Sequence, residues 1–106
     1  MSDLTPREAA ERLAAGDADL IDVREQYEWD AGHIEGARHV PVHELAAVAP
    51  ELDRERPVVI VCRVGGRSAM ATDAFRRAGF DAYNLAGGVL AWARAGLPFD
   101  GHVADH

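Results

Sequence analysis

The chain has 106 residues, 48% of them apolar and 27% charged, the size and balance of one globular domain of roughly 100–150 residues. That length excludes two domains, the apolar content excludes disorder, and no apolar run approaches the ~20 residues of a membrane span. The formal charge is −7, and all eleven basic residues are arginines without a basic run, which makes nucleic acid and anionic membranes poor partners.

In chain order, Thr5-Pro6-Arg7-Glu8 reads as a capping box with proline at the first helical position. Ala9, Ala10, Leu13 and Ala14 continue at helical spacing up to Gly16. Leu20-Ile21-Asp22-Val23 is a short, largely apolar run that predicts a buried strand. Glu25 to Ala31 predicts a short helix ended by Gly32. Val40-Pro41-Val42 is read as an edge strand or strand end, because proline cannot donate to a ladder. His43 to Val48 is a weak helix that stops before Pro50. Pro57 to Val61 is the strongest strand, and Cys62 stands where it runs out. Ser68 to Ala78 predicts a helix with Met70, Ala71, Ala74, Phe75 and Ala78 on one stripe. Asp81 to Leu85 is a further strand, Gly87-Gly88 a turn, and Val89 to Ala95 a helix carrying Trp92. Asp100 to His106 reads as a frayed tail. Strands alternating with helices at this spacing predict an α/β fold, with a mainly parallel sheet covered on both faces.

Cys62 is the sole cysteine. It excludes a disulfide framework and a Cys₂ or Cys₄ zinc site, and it leaves no second thiol to resolve an oxidised Cys62. Met1-Ser2-Asp3 lacks the basic-then-apolar pattern of an export signal, so the expected compartment is a reducing cytoplasm. In parallel sheets the working crevice lies at the carboxyl ends of strands, and Cys62 occupies that place. Gly65 and Gly66 permit positive φ angles, so that successive N–H groups can turn toward one point and form an anion cradle with the next helix. Arg63 and Arg67 add positive charge at its edge. The same features lower the pKa of a thiol, so Cys62 is expected to be a nucleophile rather than a small buried hydrophobe. Cysteine phosphatases and arsenate reductases use a Cys-x₅-Arg loop. Here four residues separate Cys62 from Arg67, a tighter ring that suits a sulfane sulfur better than a phosphoryl group. His39 and His43 are separated by Pro41 and cannot form a helical metal pair, and no metal site is expected.

The sequence resembles the single-domain members of the rhodanese family. Leu20-Ile21-Asp22-Val23-Arg24 is similar to the family's Asp-Val-Arg strand motif. Glu28-Trp29-Asp30-Ala31-Gly32-His33-Ile34-Glu35-Gly36-Ala37 is similar to its Gly-His-Ile-x-Gly-Ala stretch, and Cys62 to Ser68 to its active loop. Leu85-Ala86-Gly87-Gly88 through Trp92 is similar to its closing Leu-x-Gly-Gly-x-x-x-Trp signature. The four motifs stand in the family's order over about residues 4–98. The resemblance implies one rhodanese-like domain over 1–106, with a central sheet of about five strands. It also implies sulfur transfer from thiosulfate or a persulfide donor to a thiol, cyanide or protein acceptor through a Cys62 persulfide, without metal or organic cofactor. Arg63, Val64, Gly65, Gly66, Arg67 and Ser68 would bind the donor or hold the terminal sulfur, and Ser68 would also cap its helix. Asp22 and Arg24 would brace the loop, and His33 would be a structural hydrogen-bonding residue in its turn. Trp29, Phe75 and Trp92 are expected in core packing. On this reading Arg67→Ala weakens thiosulfate turnover more than folding. A sulfur-relay or regulatory binding module on the same scaffold is the alternative.

Overall fold

The computed structural model describes residues 3–105. Five strands form one parallel sheet in the order β1-β6-β5-β2-β4: β1 (Asp3–Leu4), β6 (Ala82–Leu85), β5 (Val58–Val61), β2 (Asp19–Asp22) and β4 (Arg38–His39). The helices are α1 (Pro6–Ala14), α2 (Gln26–Ala31), α3 (Leu45–Val48, between two short 3₁₀ turns), α4 (Gly66–Arg77) and α5 (Gly88–Arg94). Among the described residues, no helix is long and apolar enough to cross a membrane.

Strand periodicity divides the core in two. Val58, Ile60 and Cys62 point to one face, where Ile21, Val23, Leu45, Phe75 and Phe80 pack with them. Val59 and Val61 point to the other, against Leu4, Leu20, Ile34, Val89 and Trp92. All four residues of β5 are therefore buried, and the central strand reads as an unbroken apolar run. The register sets Ile21, Ile60 and Asn84 side by side, and Asp22 beside Val61. The carboxyl ends of β2, β5 and β6 consequently converge on Cys62.

The capping box holds as read: the Thr5 hydroxyl accepts the Glu8 N–H at 3.1 Å, and the Glu8 carboxylate accepts the Thr5 N–H at 2.9 Å. Trp92 and Phe75 are core residues, whereas Trp29 is half-buried and stacks on His33 with ring centroids 3.7 Å apart.

Four expectations are corrected. Of the two readings of Val40–Val42 the strand end holds, and the edge strand itself is Arg38–His39. The Val40 and Val42 amides still donate to the Asp22 and Val23 carbonyls, but Pro41 between them has no N–H and the chain turns into a 3₁₀ helix at Val42. Helix α4 begins at Gly66, with Gly65 before it, so Ser68 is its third residue and not its cap. The buried stripe of α4 is Ser68, Ala71, Thr72 and Phe75, while Met70 is 76% exposed. Two polar residues belong to that stripe because their hydroxyls are satisfied: Thr72 donates to the Ser68 carbonyl at 2.7 Å, and Ser68 to Asn84 Oδ1 at 2.6 Å. Finally, the C-terminal segment is not frayed. Asp100–Gly101 forms β7, antiparallel to β3 (Gly32–His33), and the half-buried Val103 packs against the core. His106 lies outside the described residues.

Candidate active site

Cys62 follows β5 directly and is 1% exposed. The loop after it is fixed from two sides. Its carbonyls face α5, where Cys62 accepts the Val89 N–H at 2.9 Å and Arg63 the Leu90 N–H at 3.1 Å. This contact requires Gly88: its φ of +64° disfavours a side chain, and a Cβ there would collide with the Cys62 and Arg63 carbonyls. On the inner side Gly65, at φ +111°, turns its N–H back to Cys62 Sγ at 3.1 Å. The Ser68 N–H reaches the same sulfur at 3.4 Å, and the Ser68 hydroxyl lies 3.3 Å from it.

Burial pushes the Cys62 thiol up. The Ser68 hydroxyl, the Ser68 and Gly65 amides and the positive charge of Arg67 outweigh burial, and the net position is below the ordinary thiol value. The sulfur thus sits at a helix N-terminus with donors already aimed at it, the arrangement that stabilises a thiolate or a terminal sulfur anion.

The other loop residues separate. Val64 is 55% exposed, and Gly66 begins α4. Arg63 turns to the C-terminal segment, where its Nε donates to the Ala104 carbonyl at 2.8 Å. Arg67 makes a two-pronged ion pair with the Glu28 carboxylate at 2.8 and 3.0 Å. Burial pushes the Glu28 carboxyl up, but its bonds to Arg67 and to the Glu25 amide bring it below the usual carboxylate range. The same ion pair raises Arg67 above its usual value.

Asp22 and Arg24 form a fully buried pair. The Asp22 carboxylate accepts the Arg24 N–H and the guanidinium at 2.8–3.0 Å. Arg24 then donates to the carbonyls of Glu28, at 3.3 Å, and Gly32, at 2.8 Å. The bracing expected of these two residues falls on α2 and β3 rather than on the cysteine loop. It reaches the loop through Glu28 and Arg67. His33 is held by its Nδ1 against the Trp29 carbonyl at 2.9 Å.

Two site residues received no role from the sequence. Glu28 is 2% exposed, and its partner Arg67 is 39 residues away, a pairing no local pattern announces. Asn84 is the inward-facing polar residue of β6, and strand alternation with Ala82 could have marked it. Among the described residues no group of three or more His, Cys, Asp or Glu is placed to hold a metal ion.

Comparison with known proteins bears on the domain as a whole. The profile of the rhodanese-like domain matches residues 5–95. An HTH-type transcriptional regulator of Mycobacterium tuberculosis is 43% identical over 100 residues, which are 92% of this chain and 44% of that protein. The chain therefore spans less than half the length of that relative. The thiosulfate sulfurtransferase GlpE of Pseudomonas aeruginosa is 36% identical over 104 residues, covering 94% of both chains. Among solved structures, a rhodanese-related protein from Thermoplasma volcanium superimposes with a TM-score of 0.86 at 25% identity, covering 93% of this chain and 97% of that one.

Proposed function

The chain belongs to the rhodanese-like domain family, and from that premise we propose that it transfers sulfane sulfur through a persulfide on Cys62. The observation that carries the reading is the set of N–H donors from Gly65 and Ser68 converging on a buried sulfur at the end of β5. In the first step the Cys62 thiolate attacks the outer sulfur of the donor. With thiosulfate, the S–S bond breaks and sulfite leaves with the electron pair, so that Cys62 carries a terminal sulfur anion. An acceptor nucleophile then attacks that outer sulfur and returns the electron pair to Cys62 as thiolate. Cyanide leaves as thiocyanate, and a thiol leaves as a persulfide. The loop amides have the role of an oxyanion hole for the sulfur that carries the charge.

Thiosulfate is the donor we favour, since the relative matched over 94% of both lengths is named for it. Arg63 is the guanidinium best suited to attract such a dianion, because Arg67 is already balanced by Glu28. Exposed Met70 and Val42, which line one groove with Ala74 and Arg67, offer an apolar surface for a protein acceptor. A second reading, a regulatory module that senses sulfane sulfur, is favoured by the likeness to a transcriptional regulator.

Intact mass before and after thiosulfate tests the reading, with Cys62→Ser as control. A gain of about 32 Da, one sulfur, is expected in the wild type only, and cyanide or thiol should remove it. No gain with thiosulfate or with a small-molecule persulfide would overturn the proposal. A gain without multiple turnovers would favour the regulatory module.

A further inference from the structure

The Ser68 hydroxyl has one proton and three acceptors within reach. Asn84 Oδ1 is at 2.6 Å, Cys62 Sγ at 3.3 Å and the Gly65 carbonyl at 3.4 Å. An oxygen acceptor at the shortest of these distances takes the proton in preference to a sulfur at 3.3 Å. The orientation of the Asn84 amide is fixed from its other side, because its Nδ2 donates to the Asp3 carboxylate at 3.3 Å. A carboxylate can only accept, so Asn84 must present Nδ2 to Asp3 and its oxygen to Ser68.

The four groups therefore form a chain with a direction. Asn84 donates to Asp3, Ser68 donates to Asn84, and the Ser68 oxygen is left to accept from a protonated Cys62. That direction suits the thiol. A thiolate gains the Ser68 proton only if the hydroxyl turns away from Asn84 and leaves a buried amide oxygen without its donor, which costs free energy. We propose that Asn84, anchored by Asp3, is a positioning residue that competes with Cys62 Sγ for the single Ser68 proton and so restrains the ionisation that the loop amides favour.

The loop amides pull the opposite way, and the ionisation of Cys62 is set by the balance of the two. The charged groups of the elements packed around the loop are Arg67 with Glu28 from α4 and α2, Asp22 at the end of β2 with Arg24 after it, Arg63 in the loop and Asp3 on β1. Among the described residues, none of them hydrogen-bonds Sγ directly, so Ser68 is the side chain through which a neighbour can set its proton. With one cysteine, the chain has no second thiol of its own to resolve an oxidised Cys62, and a restrained ionisation slows that oxidation.

The inference rests on Cys62 being the nucleophile, but its test does not need sulfur transfer. The rate of alkylation of Cys62 by iodoacetamide is measured from pH 5 to 10 in the full-length protein, with folding checked by circular dichroism. Asn84→Leu removes the amide and frees the hydroxyl for the sulfur. The thiolate titration should move down by about half to one pH unit, roughly a three- to tenfold gain in thiolate below the midpoint. Adding Ser68→Ala to Asn84→Leu should cancel the shift. Ser68→Ala alone should move the midpoint up by less than about half a unit, since the hydroxyl is committed to Asn84. Three results would overturn the proposal: an unmoved or raised midpoint in folded Asn84→Leu, the same fall in the double variant, or a rise of about a unit or more in Ser68→Ala alone. If Asn84→Leu fails to fold, the Ser68→Ala arm still decides. Failure of the mass gain with thiosulfate would leave these titrations standing, so the two readings fail separately.

Discussion

Arg67 shows how a neighbour changes the meaning of a residue. By its place after Cys62 it reads as a charge for the donor, and its removal reads as a loss of turnover. In the fold its guanidinium is spent on Glu28, whose carboxylate is 2% exposed. Arg67→Ala strands that carboxylate, and we expect it to cost about 1–3 kcal/mol of stability in urea unfolding near neutral pH. Glu28→Gln combined with Arg67→Ala should recover part of that loss, because a neutral amide is cheaper to leave without its partner. Acid gives an independent check. Glu28 is held below the usual carboxylate range, so its stabilisation is complete above the ordinary carboxylate value of about 4.3 and is lost as pH falls through its lower folded value. The gap between wild type and the double variant should therefore close on acidification. A gap independent of pH would show that Glu28 acts through packing. Cys62 and Gly65 were legible in the sequence because their signals are local: a strand end, a helix start and a glycine. Glu28 and Asn84 were not, since what makes them matter is a partner far along the chain.

At the scale of elements, the same distinction holds. β5 and α1 are visible because an apolar run and a capping box repeat within a few residues. β1, β3, β4 and β7 have two residues each, too few to show a period, and their pairing is decided by what lies beside them in space. The C-terminal segment was misread for this reason, as its polar composition conceals a ladder with β3 and a carbonyl that holds Arg63. The Gly87-Gly88 turn was visible as a turn, but its purpose was not. It lets the first turn of α5 lie on the cysteine loop and donate to the Cys62 and Arg63 carbonyls. Gly88→Ala forces a side chain into positive φ and against those carbonyls, and we expect it to cost at least about 2 kcal/mol. Thermal unfolding measures that cost. A variant of unchanged stability would mean that α5 can shift without consequence for the loop.

Across the whole molecule the charges are arranged against an anionic donor of the proposed class. The net charge is −7, a field that repels a dianion at long range. Of the three arginines assigned to the site, Arg24 is matched by Asp22 and Arg67 by Glu28. Only Arg63 lacks a carboxylate partner among the described residues, and its Nε is engaged by the Ala104 carbonyl. Local attraction is thus one charge set against a larger net repulsion. Salt screens both, but it weakens the more distant repulsion first, since the Debye length falls from about 20 Å near 0.02 M to about 7 Å near 0.2 M. For the proposed transfer from thiosulfate, kcat/KM should stay level or rise as sodium chloride is increased over that range. A fall of roughly threefold or more would mean that attraction at the mouth outweighs the net charge, and that Arg67 attracts the donor despite its pairing with Glu28. Repeating the titration with Arg63→Ala identifies the source. If Arg63 supplies the local attraction, the variant should show the lower kcat/KM and a steeper rise with salt, because only repulsion is then left to screen.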